Sequence, residues 1–126
     1  MHNHKGTQLY KTSIKLTAQI AQVTQKADRG YRFTVGEKMI DAAMKVTKDF
    51  YQAYKEHETE KKKNRIEQCS QDLEELMEWL DVAHELGFFS YKSFPKVLEQ
   101  YSSIERQLAG WNNGIAKVPV IKDGDR

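Results

Sequence analysis

Apolar residues recur along this chain at spacings of three, four and seven, in four stretches separated by polar or glycine-containing breaks. In the first stretch Leu9, Leu16, Ile20, Val23 and Ala27 fall on one face of a helix. Ser13 is the polar exception on that face, and Lys11 and Lys15 lie opposite it, one turn apart. Arg29-Gly30 is expected to end this helix, because glycine takes turn geometry without steric penalty. Thr34-Val35-Gly36-Glu37 then fits a capping box, in which the Thr hydroxyl and the Glu carboxylate satisfy first-turn amides reciprocally. The second apolar face follows as Met39, Ile40, Ala43, Val46, Phe50 and Tyr54. Residues 57–63 are all polar, which predicts a turn near 58–62, where nothing apolar can pack.

The third stretch alternates strictly as Ile66, Cys69, Leu73, Leu76, Leu80 and Ala83, with Met77 and Trp79 beside it. It stops at Leu86-Gly87, where Gly87 suits a left-handed C-cap. Ser90 or Ser93 can cap the fourth, and Pro95, tolerated only in a first turn, favours Ser93. Val97, Tyr101, Ile104, Leu108 and Trp111 form its face. The expected helices are about 8–28, 35–57, 63–86 and 94–113, with a loose tail over 115–126. Four helices joined by short connections pack most simply as antiparallel neighbours. The fold class is therefore all-α: one domain over 1–126, an antiparallel up-down-up-down four-helix bundle.

Composition adds location and charge. A chain of 126 residues suits one domain able to bury its own core without staples. Its single cysteine, Cys69, rules out an internal disulfide, and no apolar run has the length to span a bilayer. The N-terminal Met1-His2-Asn3-His4-Lys5 lacks the apolar stretch of a signal peptide, so the expectation is a cytoplasmic protein. The formal net charge of +2 hides an asymmetry. Residues 1–33 carry six Lys or Arg (Lys5, Lys11, Lys15, Lys26, Arg29, Arg32) against one acid, Asp28. Residues 61–86 are net acidic. A basic first third can meet a polyanion, although charge runs also serve simply to solvate a helix face.

Catalytic patterns are not apparent. His2 and His4 sit near the terminus, His57 and His84 on different helices, and no Cys or carboxylate joins them at ligand spacing. Cys69 occupies a core position, where a thiol behaves as a small apolar group. There is no glycine-rich phosphate loop and no Glu-x-x-His pair of the di-iron bundles. No enzyme, metal or cofactor is expected. Rings are plentiful around the second helix (Tyr31, Phe33, Phe50, Tyr51, Tyr54) and the last turn (Phe88, Phe89, Tyr91, Phe94). Most are expected in the core and loops, and some at a subunit interface, where aromatics are enriched.

The segment Tyr31-Arg32-Phe33-Thr34-Val35-Gly36-Glu37-Lys38-Met39-Ile40 resembles the lead-in to helix two of a particular bundle family. That family joins the proteins encoded in 23S ribosomal RNA intervening sequences with Avd, the accessory variability determinant of diversity-generating retroelements. Three further pieces agree, in the right order: Leu9-Tyr10-Lys11, then Ala83-His84-Glu85-Leu86-Gly87-Phe88-Phe89-Ser90, then Leu108-Ala109-Gly110-Trp111. Together they cover about residues 9–114, and the lead-in to helix two leans toward the Avd branch.

The resemblance implies a homopentameric barrel and a non-enzymatic accessory role, in association with a reverse transcriptase and with nucleic acid. On that expectation Lys11, Lys15, Lys26, Arg29 and Arg32 are the candidate phosphate contacts. Phe33, Gly110 and Trp111 are candidates for the subunit interface; a glycine inside a helix costs about 1 kcal/mol against alanine, so Gly110 marks either a helix fraying toward Gly114 or the close approach of another helix, with Trp111 packed against it. One departure points the other way. Nucleic-acid-binding members of the family tend to be basic on helix three, which here carries Glu74, Glu75, Glu78, Asp81 and Glu85. The alternative is thus an intervening-sequence-type bundle that acts as a protein-interaction scaffold and binds no nucleic acid.

Overall fold

The computed structural model describes residues 7–116. Helix α1 runs Gln8–Lys26, α2 Glu37–Lys55, α3 Thr59–Glu85 and α4 Ser93–Ala116, and there are no strands among the described residues. Each helix packs against its chain neighbours, and α4 closes the bundle against α1. The architecture is the all-α four-helix bundle that the periodicity predicts. One apolar cluster runs through it. All six residues of the third stretch, Ile66 to Ala83, are buried, as are Val97, Tyr101, Ile104 and Leu108 of the fourth. Ala42 and Ala53 join the predicted face of α2, while Ile40 and Tyr54 sit half-buried at its margin. Ser13, the polar exception on α1, is buried and hydrogen-bonds through its hydroxyl with that of Thr47 on α2. A buried hydroxyl without such a partner costs roughly 1–3 kcal/mol, so the pair fixes how α1 and α2 face each other.

The lead-in to α2 differs from the capping-box expectation. Helix α1 stops at Ala27, which is extended and whose N–H donates to Thr24 O at 3.1 Å. Helical structure resumes at once: Asp28 O accepts from the amides of Tyr31 and Arg32, both at 3.0 Å. The break therefore lies at Ala27-Asp28, and Gly30 sits inside a helical turn, Arg29–Tyr31. Arg32–Gly36 is a π-helical segment that feeds straight into α2. Thr34 is consequently not a cap; its hydroxyl donates back to Gly30 O (3.1 Å) and Tyr31 O (3.3 Å), within the helix. The π segment inserts one residue into the turn, and the insertion turns Gly36 inward against α1 and leaves Phe33 outward.

The second connection is also shifted. It occupies residues 56–58, and α3 already includes 59–63, so the turn expected near 58–62 is helical for most of its length. The polar run is held by its charges. Lys62 Nζ lies over the Trp111 ring, 5.8 Å from its centroid, a cation–π contact between α3 and α4. Arg65 Nε donates to Glu56 Oε1 at 3.0 Å across the turn, and this bond holds the Glu56 carboxyl below its ordinary range.

The end of α3 follows its sequence signal. Gly87 has φ +83°; Gly87 N donates to His84 O (3.1 Å) and Phe88 N to Ala83 O (3.0 Å), a Schellman motif that ends α3 and buries Phe88. The cap of α4 is Ser90 and not the favoured Ser93: Ser90 Oγ accepts from Ser93 N (3.0 Å) and Ser90 O from Phe94 N (3.1 Å), while Ser93, already in the helix, accepts back from Ser90 N through its Oγ (2.8 Å). At its other end α4 continues to Ala116, past the expected 113, and the rest of the predicted tail lies outside the described residues.

Candidate nucleic-acid interface

The seam between α1 and α4 gathers the basic side chains. At one end Lys11 and Lys15 of α1 and Arg106 of α4 line a groove of about 660 Å³ together with Tyr10, Ser103 and Glu99. At the other, Lys26 of α1 meets Lys92 and Lys96 in a smaller groove of about 280 Å³ with Gln19, Ser90 and Ser93. Antiparallel packing makes this inevitable: early α1 lies against late α4, and late α1 against the start of α4. Between the two helices Gln107 Nε2 donates to Thr12 Oγ1 at 3.3 Å. Glu99 is the one acidic residue lining either groove. Among the described residues, none of these six cations takes part in an ion pair. Positive charge left unneutralised along a groove is what a polyanion requires.

The five predicted phosphate contacts separate. Lys11 and Lys15 share one groove and Lys26 belongs to the other. Arg29 is exposed at the helical turn after α1 and lines neither groove. Arg32 is half-buried; its Nη2 donates to Ala27 O at 3.2 Å, and its Nε is buried with no hydrogen-bond partner. Arg32 thus braces the turn after α1. Sequence reasoning missed Lys92, Lys96 and Arg106. Each was visible as a charge, but placing them needed the pairing of α4 with α1.

The candidate interface residues also separate. Phe33 is 59% exposed, and Tyr31, Met44 and Tyr51 are likewise exposed. Ile40, Met44 and Tyr51 follow helical spacing down α2. On α1 no residue from Leu16 to Gln25 carries charge. The exposed α2 side chains Met44 and Tyr51 are interleaved with Lys48, and Lys55 Nζ lies over the Tyr51 ring at 4.8 Å from its centroid. Gly110 is exposed, with open space where a Cβ would stand. Trp111 packs inside the protomer, edge-on to Phe50 at 5.6 Å between centroids.

The outer face of α3 is acidic, with exposed Glu67, Glu74, Glu78, Asp81 and Glu85 at helical spacing. None of them is in an ion pair among the described residues. Their field reaches the core: burial, with the charges of Glu105, Glu74 and Asp81, pushes the Tyr101 hydroxyl up to about 12. That hydroxyl donates to Leu73 O at 2.9 Å. Cys69 is fully buried, its Sγ donates to Val46 O at 3.5 Å, and burial pushes the thiol up to about 12. A thiol so hard to ionise is a poor nucleophile. Among the described residues no three His, Cys, Asp or Glu side chains converge where a metal ion could sit, and no helix is long and apolar enough to cross a membrane.

The sequence model of the bAvd-like family matches residues 8–115. No curated protein matches the chain.

Proposed function

The chain belongs to the bAvd-like family, and from that membership we propose that it is a cytoplasmic, non-enzymatic accessory protein of a diversity-generating retroelement. In this reading it assembles as a homopentamer and binds RNA in company with a reverse transcriptase. The observation that supports it is the α1–α4 seam, where six cations line two successive grooves and none takes part in an ion pair among the described residues. Each phosphate neutralised releases counterions, so affinity grows with the number of such contacts. A ring of five copies repeats the seam and adds avidity. The side of the bundle that exposes Phe33, Met44 and Tyr51 is the surface we assign to the contact between copies.

The test is charge reversal at the groove, Lys11→Glu with Lys15→Glu. Both side chains are exposed, so folding is spared. Binding to a structured RNA is expected to weaken and its dependence on salt to flatten; unchanged binding removes the assignment. A second reading rests on the acidic face of α3. It makes the protein an intervening-sequence-type scaffold that recruits proteins alone. It predicts no salt-sensitive RNA binding at physiological ionic strength.

A further inference from the structure

We propose that the α1–α4 seam is a track for single-stranded nucleic acid, with Tyr91 as a stacking platform at one end. This rests on the RNA-binding reading above and specifies its ligand and its footprint. The two grooves follow one another along a single seam, from Lys11 and Arg106 to Lys26 and Lys96. From Lys11 to Lys26 the helix rises about 22 Å at 1.5 Å per residue. At a stacked spacing of ~3.4 Å per nucleotide that length holds about six nucleotides.

Tyr91 decides the strand type. It is 83% exposed, the most exposed of the large apolar side chains, and stands between Ser90 and Lys92, both of which line the smaller groove. Lys92 Nζ lies over one face of the ring, 6.0 Å from its centroid, and the opposite face is the one offered to a base. The packing of the bundle leaves this ring almost wholly to solvent, whereas Phe88, Phe89 and Phe94 around it are buried or packed together. An exposed aromatic beside a basic groove matches the way proteins hold unpaired bases: the groove takes the phosphates and the ring takes a base face. A duplex keeps its base faces stacked on one another along its length and offers none there to Tyr91. The amides of Ser90 and Ser93 are already taken by the mutual cap, so phosphate contact falls to Lys26, Lys92 and Lys96.

The experiment is fluorescence anisotropy of the full chain with an eight-nucleotide single-stranded RNA and a blunt duplex of the same sequence, across a salt series. Single-strand binding is expected to exceed duplex binding at least tenfold. Tyr91→Ala is expected to weaken the single strand about five- to hundredfold, the range for loss of one stacked base, and Tyr91→Phe to restore it. Lys92→Glu with Lys96→Glu is expected to reduce the slope of log K against log salt by about 1.4, or ~0.7 per lost phosphate contact. All three positions are at the surface, and circular dichroism checks that the variants fold. Equal binding of the duplex, or a Tyr91→Ala variant that binds like the parent, overturns the inference while leaving RNA binding in place. A parent chain that binds neither RNA overturns both.

Discussion

Replacing Gly36 with alanine probes the contact that the π-helical segment creates. Gly36 is buried, and a methyl built there falls inside van der Waals contact of Thr24 Cγ2 on α1 and 3.4 Å from Tyr31 O. Thr24 cannot swing away freely: it is 4% exposed and its hydroxyl donates to Ile20 O at 2.8 Å. Overfilling a packed site by one methyl costs about 1–3 kcal/mol. Alanine recovers up to about 1 kcal/mol of helix propensity over glycine. The net expectation is a loss of about 1–2 kcal/mol, or roughly 3–10 °C in Tm for a chain of this size. Thr24→Ser removes the clashing methyl and keeps the hydroxyl. In that background Gly36→Ala should be neutral or stabilising, which gives a coupling energy of about 1–2 kcal/mol in a double-mutant cycle. Urea unfolding followed by circular dichroism at matched protein concentration measures all four variants. An equal cost of Gly36→Ala in both backgrounds refutes the close approach as the reason for glycine.

Two further substitutions test the core. Asp72 is 4% exposed, and Lys45 Nζ lies 3.4 Å from its Oδ1 and 3.8 Å from Glu75 Oε2, while Gln68 donates to the same Oδ1 at 3.1 Å. Lys45→Met should cost about 1–2 kcal/mol, less than for a fully buried pair because Lys45 is half exposed; an Asp72→Asn background should erase that cost in thermal denaturation. Cys69, raised by burial, favours the folded state fully below the unfolded thiol's pKa of about 8.5 and loses that contribution as pH climbs toward about 12. Stability of the parent should therefore fall over this range more steeply than that of Cys69→Ala, as read by urea midpoints. Parallel curves would show that the thiol titrates alike in both states.

The α3 core was legible because Ile66 to Ala83 repeats without interruption, and a helix buried on one side leaves no other period. Gly87 was legible because only its left-handed φ ends the helix there. The lead-in to α2 was read as a local cap because Thr34 and Glu37 have the right spacing. The outcome depended instead on Asp28 O capturing two amides upstream, and on space for Gly36 against Thr24, which is tertiary information. The start of α3 was misplaced because 59–63 holds no apolar residue that could pack, whereas the Lys62 ammonium finds the Trp111 ring on α4. For the candidate interface, Lys11 and Lys15 were accessible as a helical pair. Their neighbour Arg106, and Lys92 and Lys96 beside Lys26, depend on which helix closes the bundle. Arg32 was counted by charge, whereas its guanidinium is committed to Ala27 O.

The central claim is an oligomeric bundle that takes up RNA, and light scattering of the native chain, alone and with a structured RNA at moderate salt, tests it most directly. A mass near five chains that rises when RNA is added is the predicted result. A one-chain mass that RNA leaves unchanged would contradict it.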